Sequence, residues 1–401
     1  MGGWRCFSAF IARGSGARRD GLCENLVLSF EILDNEAEVD RFREGWNALS
    51  VTHALPYSSP AWMLAWWRHL APRDARLRIV LVEEGNRVIG VAPMFVQRRM
   101  GIARYRFLGA DTASGGAQPM AVPGREDEAA ALIATALTRC SPRPNLVSFE
   151  WISERSPWPM MLSKQLVGRM PSTRRLLDSR PAPYVTLLGR TYHEWLRSRN
   201  GRYRRELLRL RRRLEDRGAV FRLASSLAEV KRVLPVFAKF FNQRWGGTAR
   251  TGALATGVES MLSDVAQELI SDLRFRLWYI EVEGALISTE IFVAAGGELS
   301  SWQGGYDRAW AAHGPSIQTI VQALRHAWDV GDERLDLGRG GQSFKYRLGD
   351  GDDRLQCSAL APMGPLYPLA EARILSEQTA RRAYELLNPG LRTWRASHHH
   401  R

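Results

Sequence analysis

Two stretches of the chain carry mainly apolar runs, bounded by polar residues, on both sides of a short turn, and each predicts a β-hairpin. The first pairs residues 77–83 with 87–96, and the second pairs 275–282 with 285–294, each around a Glu-Gly turn. Two strand-like runs that flank a short glycine-containing turn are the usual hairpin signal. In each half, helices precede the hairpin, and a strand, a helix and another strand follow it. The repeated order predicts a duplicated α/β unit.

The largest group of candidate functional residues lies between residues 300 and 349. A strand ends at Tyr306-Asp307, and a helix then begins at His313-Gly314-Pro315-Ser316. The next strand, 334–337, leads into a glycine-rich loop at 338–341. A helix N-terminus beside a strand end is an anion site, because its free N–H groups and the helix dipole both face outward. The pattern predicts a group-transfer site for a phosphate-bearing donor.

The turn Gly314-Pro315-Ser316 has two interpretations. Its small residues would let backbone N–H groups approach pyrophosphate oxygens, with His313 at the edge of the same site. Proline near the first turn is also ordinary helix initiation. The helix itself is well defined, since its apolar residues share one face and Gly331 ends it.

Polar residues near this turn are candidates for the chemistry, and most have a structural alternative. Asp336 could accept a proton from an amine acceptor, or it could cap the following loop. Lys345 could neutralise a tetrahedral oxyanion or bind phosphate, or it could be a solvated surface lysine. Tyr306 could protonate a departing thiolate, or it could pack at a strand end. Asp307 and Gln342 are predicted to contact substrate.

Residues 195–217 predict one basic helix that ends at Gly218. Residues 197–217 hold ten arginines against three acids, a net charge of +7 within a chain of formal net charge +14. Arg202, Arg205 and Arg209 share a face, which could bind nucleic acid, anionic lipid or a phosphorylated substrate. The alternative is a solvated helix in an arginine-rich chain.

The length of 401 residues predicts two domains. We expect them at 27–185, closed by Pro181-Ala182-Pro183, and at 186–362, between a disordered leader at 1–26 and a helical tail at 363–401. Four cysteines without metal or disulfide spacing favour a reducing compartment. No apolar run reaches the ~18 residues of a membrane span, so a cytoplasmic location is expected.

Together these residues resemble the tandem-domain branch of the GNAT acyltransferase superfamily. That branch includes the cellulose-biosynthesis-type acetyltransferases and is related to the Fem aminoacyltransferases. The resemblance covers residues 28–361, and three features carry it: Tyr306-Asp307 with the helix from His313, Leu335-Asp336-Leu337-Gly338 with Phe344-Lys345-Tyr346, and the basic helix. One segment departs from the pattern, since the loop at 111–118 stands where the family usually has an acidic-aromatic loop.

The resemblance implies two tandem GNAT-like α/β domains, each a mixed, mostly antiparallel twisted sheet flanked by helices. It also implies a bacterial enzyme that needs no metal and transfers an acyl group from acetyl-CoA or another acyl-CoA to an amine or hydroxyl. The donor would bind at residues 313–316, and Lys345 would stand where Fem-type enzymes use a lysine. The implied acceptor is a small molecule, such as a sugar or cell-envelope precursor.

Two alternatives stay open at the level of sequence. The first is Fem-like transfer from aminoacyl-tRNA, which the arginine-rich helix favours and the lack of a long two-helix arm opposes. The second is a non-catalytic module that binds RNA or a membrane surface.

Overall fold

The structure is a computed structural model that describes residues 27–110, 112–113, 115–168, 170–245 and 257–387. The leader expected at 1–26, two positions of the loop at 111–118 and the end of the expected tail lie outside the described residues.

The strands are β1 (Leu28–Leu33), β2 (Arg76–Glu84), β3 (Arg87–Arg99), β4 (Ile102–Phe107), β5 (Met120–Ala121), β6 (Leu146–Ser153), β7 (Ser172–Thr186), β8 (Val220–Leu223), β9 (Phe275–Val282), β10 (Ala285–Ala295), β11 (Glu298–Tyr306), β12 (Arg334–Asp336) and β13 (Gly351–Pro362). The helices are α1 (Arg43–Thr52), α2 (Pro60–Leu70), α3 (Glu126–Arg139), α4 (Trp158–Leu166), α5 (Tyr192–Ser198), α6 (Gly201–Glu215), α7 (Leu227–Trp245), α8 (Val258–Leu269), α9 (Pro315–Asp329), α10 (Ser343–Leu348) and α11 (Tyr367–Leu387).

Both predicted hairpins are confirmed, as the antiparallel pairs β2–β3 and β9–β10. Gly85 and Gly284 turn them with φ angles of 61° and 80°, a backbone region that glycine enters without a steric penalty. The apolar positions of the four strands are buried. Burial is continuous along the apolar runs, so these strands are covered on both faces of the sheet.

All strands belong to one 13-stranded sheet in the order β1-β2-β3-β4-β6-β13-β7-β12-β11-β10-β9-β8, with β5 beside β3. Pairing is parallel only for β4–β6 and β11–β12. This confirms the predicted class, a mixed and mostly antiparallel sheet flanked by helices. The order is symmetric about the central β13–β7 pair, as expected for a duplicated unit.

The two halves exchange their last strands. β7 follows the first half in sequence but pairs with β12 of the second half. β13 follows the second half but pairs with β6 of the first. β7 and β13 also pair with each other along the whole of β13. The boundary predicted between residues 185 and 186 thus lies at the end of a strand that belongs to the sheet of the other half.

The structure corrects two local expectations. Pro181 and Pro183 do not close the first half but lie inside β7, where their carbonyl oxygens accept hydrogen bonds from Gly340 and Leu337. Proline lacks the backbone N–H donor but keeps its carbonyl oxygen. A strand can therefore contain proline where the neighbouring segment needs only a hydrogen-bond acceptor. The predicted single basic helix is instead two helices, since α5 ends at Ser198 and α6 begins at Gly201. Asn200 caps the second helix, because its side-chain oxygen accepts a hydrogen bond from the Arg202 backbone N–H.

Aromatic side chains join the two halves near the middle of the molecule. The Trp62 ring of α2 lies 4.9 Å from Tyr57 and 5.4 Å from Trp302 of β11, measured between centroids. Phe237 of α7 stacks on Trp302 at 5.9 Å. These side chains are buried, and each contributes about 1.5–3 kcal/mol by leaving water. The halves therefore share one continuous core.

Among the described residues, no helix is long and apolar enough to cross a membrane.

Candidate active site

The candidate site lies in the second half, along the edge of β11 that extends beyond its pairing with β12, and we call this edge the cleft. β11 and β12 pair over only three positions, and the last of these joins Ser300 to Asp336. β11 continues beyond that point to Tyr306. Its pairing with β10 shifts by one residue at Trp302, which forms a β-bulge. A bulge leaves one residue outside the regular ladder and redirects its backbone groups. The cleft thus has Asp336 at its base and irregular backbone beside it.

Asp336, the glycine-rich loop and Lys345 form one hydrogen-bonded unit at this base. Asp336 Oδ1 accepts a hydrogen bond from the Gly338 N–H at 2.8 Å, and Ser300 Oγ lies 3.5 Å from Oδ2. Lys345 lies on α10 rather than in the loop. Its Nζ donates to the carbonyl oxygens of Gly338 at 2.7 Å and Arg339 at 3.0 Å. Lys345 is only 7% exposed, so the alternative of a solvated surface lysine is wrong.

The acidic residues at the base are shifted toward their neutral forms. Burial raises the pKa of Asp336, while the Gly338 N–H and the Lys345 ammonium oppose the rise. Burial also raises the pKa of Glu298 to about 8, against the attraction of Arg334. Glu298 and Asp336 project from the same face of adjacent strands, because side chains alternate along a strand. A carboxyl group whose pKa is raised can take up and return a proton near neutral pH.

A further buried acid, Glu290 of β10, lies on the face of the sheet opposite Asp336, because its partner Ser301 follows Ser300 along β11. It is 5% exposed and accepts a hydrogen bond from Ser301 Oγ at 3.0 Å. Gly304 on β11 makes room for it, since a Cβ at that position would lie 1.6 Å from Glu290 Oε2. The absence of a side chain at residue 304 is therefore needed for the carboxyl to reach this place.

Sequence reasoning missed Glu290 and Glu298. A signal for Glu298 was available, because it lies two residues before Ser300 and so shares a strand face with it. A weaker signal for Glu290 was the polar run Ser288-Thr289-Glu290 inside an otherwise apolar strand.

The first half forms the opposite wall of the cleft. Trp302 Nε1 donates to the carbonyl oxygen of Thr112 at 2.8 Å, so the first-half loop contacts β11 at the bulge. The Tyr57 hydroxyl lies 3.5 Å from the carbonyl oxygen of Ser300. The Arg339 guanidinium stacks on the Trp151 ring of β6 at 4.0 Å and fixes the glycine-rich loop against the first half.

The start of α9 lies at the far end of β11 from Asp336. Gly314 has a φ of 60°, and a Cβ there would lie 3.0 Å from Leu210 of α6. Pro315 is buried at the first helical position and Ser316 is half-buried. The Nδ1 atom of His313 is buried and has no hydrogen-bond partner among the described residues. These features leave the predicted phosphate turn well formed.

The corresponding helix of the first half begins differently. The first turn of α3 carries the three acidic residues Glu126, Asp127 and Glu128, whereas the first turn of α9 carries none. Negative side chains at a helix N-terminus interact with the positive end of the helix dipole themselves and repel a phosphate. Of these two equivalent helix starts, only that of α9 is suited to an anion.

The predicted site residues are brought together in part. Asp336 and Lys345 adjoin, and Gln342 lies beside them with its amide against Gly340. Tyr306 is six residues beyond Ser300, about 20 Å along the strand, and so lies at the α9 end instead. Asp307 accepts a hydrogen bond from the Ala309 N–H at 3.0 Å and caps the short 3₁₀ turn that precedes α9.

The predicted basic face lies on α6. Arg202, Arg205 and Arg209 are exposed, while Tyr203, Leu207 and Leu214 of the same helix are buried. The Gln318 amide of α9 donates to the Leu207 carbonyl oxygen at 2.9 Å, which holds α6 beside α9.

Comparison with known proteins agrees with this architecture. Residues 201–346 match the family model described as an acetyltransferase (GNAT) domain. The fold is similar to that of FemX, with a TM-score of 0.56, 11% identity, and coverage of 84% of this chain and 99% of that one. It is also similar to the C-terminal domain of a putative lysylphosphatidylglycerol synthetase from Agrobacterium fabrum (TM-score 0.52, 11% identity, coverage 84% and 96%). A third similar structure is L-PGS from Bacillus licheniformis (TM-score 0.50, 13% identity, coverage 84% and 96%).

No curated protein sequence matches the chain. At such low identities the solved structures establish a shared fold alone. With the family match, they confirm the predicted resemblance to GNAT proteins of the Fem-related tandem type.

Proposed function

We propose that this chain, which carries a GNAT acetyltransferase domain over residues 201–346, transfers an acetyl or other acyl group from acyl-CoA to an amine or hydroxyl. The observation that supports this most is the cleft between β11 and β12. It has the Asp336–Lys345 unit at one end and, beyond Tyr306 at the other, a helix start without acidic residues. An acyl-CoA, with its thioester at one end of the pantetheine arm and its pyrophosphate at the other, suits those two ends.

The chemistry we propose is direct transfer. The acceptor nitrogen or oxygen attacks the thioester carbonyl, a carbon–nitrogen or carbon–oxygen bond forms, and the carbon–sulfur bond breaks. Asp336, whose pKa is raised by burial, takes the acceptor proton, which finally reaches the departing thiolate. Backbone N–H groups at the Trp302 bulge and the Lys345 cation face the negative oxygen of the tetrahedral intermediate. The distance of Tyr306 from Asp336 argues for contact with the outer part of the donor rather than for protonation of the thiolate.

The acceptor class follows from resemblance and is a sugar or cell-envelope precursor. A second candidate is Fem-like transfer from aminoacyl-tRNA, and the exposed arginines of α6 favour it because they border the start of α9. A non-catalytic module that binds RNA or membranes is the third.

Donor binding separates these candidates. We expect acetyl-CoA to raise the melting temperature of the full chain, because a ligand of the native state stabilises it by mass action. Calorimetry with acetyl-CoA, free CoA and a charged tRNA would rank the donors. Tight binding of charged tRNA without binding of acetyl-CoA would overturn the proposal in favour of the second candidate, and binding of neither would favour the third.

The donor site itself is tested by Ser316→Glu. This change gives α9 an acidic first turn like that of α3 and leaves the helix stable. Repulsion of the pyrophosphate should weaken acetyl-CoA binding about tenfold or more. Gln322→Glu adds the same charge farther along α9 and should bind acetyl-CoA as the unmodified chain does. Equal affinities for both variants would contradict a phosphate contact at residues 313–316.

A further inference from the structure

The first half contains a small cavity lined by arginines, separate from the cleft at β11. Its volume is about 120 Å³, and it lies between the β3–β4 hairpin and α11. The lining side chains are Gln97, Arg99, Ile102, Arg104, Arg106 and Arg373. Four of these six residues are cations.

Carboxylates offset only part of this charge. Glu150, with a side chain 7% exposed, pairs with Arg106 at 2.7 Å and with Arg104 at 3.3 Å. Glu377 of α11 pairs with Arg104 at 2.7 Å and with Arg373 at 3.3 Å.

The outer arginine of the cavity, Arg99, has a weaker partner. Asp74 lies 3.6 Å from it, and its side chain is 49% exposed. Four cations thus face three carboxylates, of which Glu150 is buried and Glu377 and Asp74 are reached by water. Arg104 and Arg106 are only 15% and 17% exposed, so water screens their charges weakly. The charges named here sum to +1.

The position of the cavity in the duplicated fold gives a second argument. In the second half, β11 and β12 place Glu298, Ser300 and Asp336 on one face just before they separate. The equivalent pair in the first half is β4–β6, which is parallel over Arg104–Arg106 and Leu146–Ser148. Arg104 and Arg106 therefore take the places of Glu298 and Ser300. Where the second half has acidic residues at the end of the β11–β12 pairing, the first half therefore has arginines at the equivalent positions.

We propose that this cavity binds the phosphate group of a small phosphorylated molecule. Guanidinium groups match phosphate oxygens in geometry and charge. The Gln97 amide donates one N–H to Asp74 at 2.9 Å, and its second N–H can donate to a phosphate oxygen. The bound phosphate would link Arg373 of α11 to Arg99 and Arg106 of the hairpin. This site is independent of the donor site proposed above.

The test uses the full-length chain with inorganic phosphate as the probe. Melting temperature and calorimetric heat are followed as phosphate replaces chloride at constant ionic strength. We expect a saturable rise in melting temperature. Arg373→Gln and, separately, Arg99→Gln should each weaken phosphate binding about tenfold or more, because each removes one charged hydrogen-bond donor group. Both side chains are partly exposed, so these variants should fold.

Arg175→Gln is the matched control. Arg175 also pairs with an acid of α11, Glu371 at 3.3 Å, but lies outside the cavity. The Arg175→Gln variant should bind phosphate with unchanged affinity. A loss of phosphate affinity as large as that of Arg373→Gln would overturn the site. Phosphatidylglycerol vesicles, compared with phosphatidylcholine vesicles, form a parallel arm. Binding to the former alone, lost in Arg373→Gln, would assign the phosphate to a lipid headgroup. A chain that responds to neither soluble phosphate nor anionic vesicles would refute the proposal.

Discussion

At the scale of single residues, Lys345 combines burial with charge. A buried ammonium is costly unless it is hydrogen-bonded, and Lys345 meets that need with the carbonyl oxygens of Gly338 and Arg339. The same contacts hold the loop that gives Asp336 its N–H partner. Lys345 thus combines two effects, orientation of the loop and a positive field at the carboxyl group.

We expect Lys345→Met to lower the rate of acyl transfer roughly 10²–10³-fold while donor affinity changes little. Methionine nearly preserves the volume, so the loss reports the ammonium charge together with its hydrogen bonds to the loop. The pH profile should shift as well. The lysine cation lowers the pKa of Asp336, and its removal lets that pKa rise, so the acidic limb of the profile moves to higher pH. Steady-state rates over a pH series measure both effects.

Arg347→Met is the control for this substitution. Arg347 lies on the same short helix, is more exposed, and pairs with Glu206 of α6. It should keep both the rate and the pH profile. If Lys345→Met keeps full turnover with an unmoved acidic limb, the lysine serves the fold alone.

The sequence allowed prediction of Asp336 and Lys345 because a strand, a glycine-rich loop and a lysine follow one another along the chain. It did not allow prediction of Glu290 and Glu298. Their importance depends on which strands become neighbours and on a missing side chain at Gly304. Such cross-strand relations depend on register, which the local pattern does not contain.

At the scale of elements, α6 separates an apolar face from a basic one. Its buried side packs on α9, while Arg202, Arg205 and Arg209 are exposed. Replacing Arg202, Arg205 and Arg209 by Glu should weaken binding of a labelled tRNA. The slope of log affinity against log salt should also fall by about 2–3, since three phosphate contacts are lost. Fluorescence anisotropy across a salt series measures both quantities.

The matched control reverses three exposed arginines of the first half, Arg73, Arg87 and Arg98. It has the same net charge as the α6 variant. If the two triple variants lose equal amounts of tRNA affinity and of the slope of log affinity against log salt, α6 contributes only to the overall charge and makes no specific contact with the RNA.

The elements that escaped prediction are those stabilised by distant partners. β7 contains Pro181 and Pro183, and β13 begins with Gly351-Asp352-Asp353, compositions that locally oppose a strand. Both form strands because each lies between two neighbours in the middle of the sheet. The hairpins, by contrast, need only local pairing, and their apolar runs around a Glu-Gly turn were enough to predict them.

At the scale of the whole molecule, the exchange of β7 and β13 makes each half depend on the other. β13 lies between β6 and β7, and its residues Leu355 and Leu360 are buried. The chain should therefore unfold in a single transition, although its sequence order is that of two domains. The proposed active cleft then lies within one sheet that both halves share.

Truncation tests this dependence. A chain ending after Asp350 loses β13 and with it the contacts that join β6 to β7. Each large buried side chain is worth about 1.5–3 kcal/mol, against a total stability of about 5–15 kcal/mol, so we expect neither half to stay folded. A chain ending after Gly364 keeps β13 and loses α11 with the residues that follow it; the buried core residues described in α11 are Ala370 and Ile374. It should melt at a lower temperature but still in one transition. Thermal melts followed by circular dichroism measure both outcomes. If the chain that ends after Asp350 still shows a cooperative melt of one half, β13 is not what holds the two halves together.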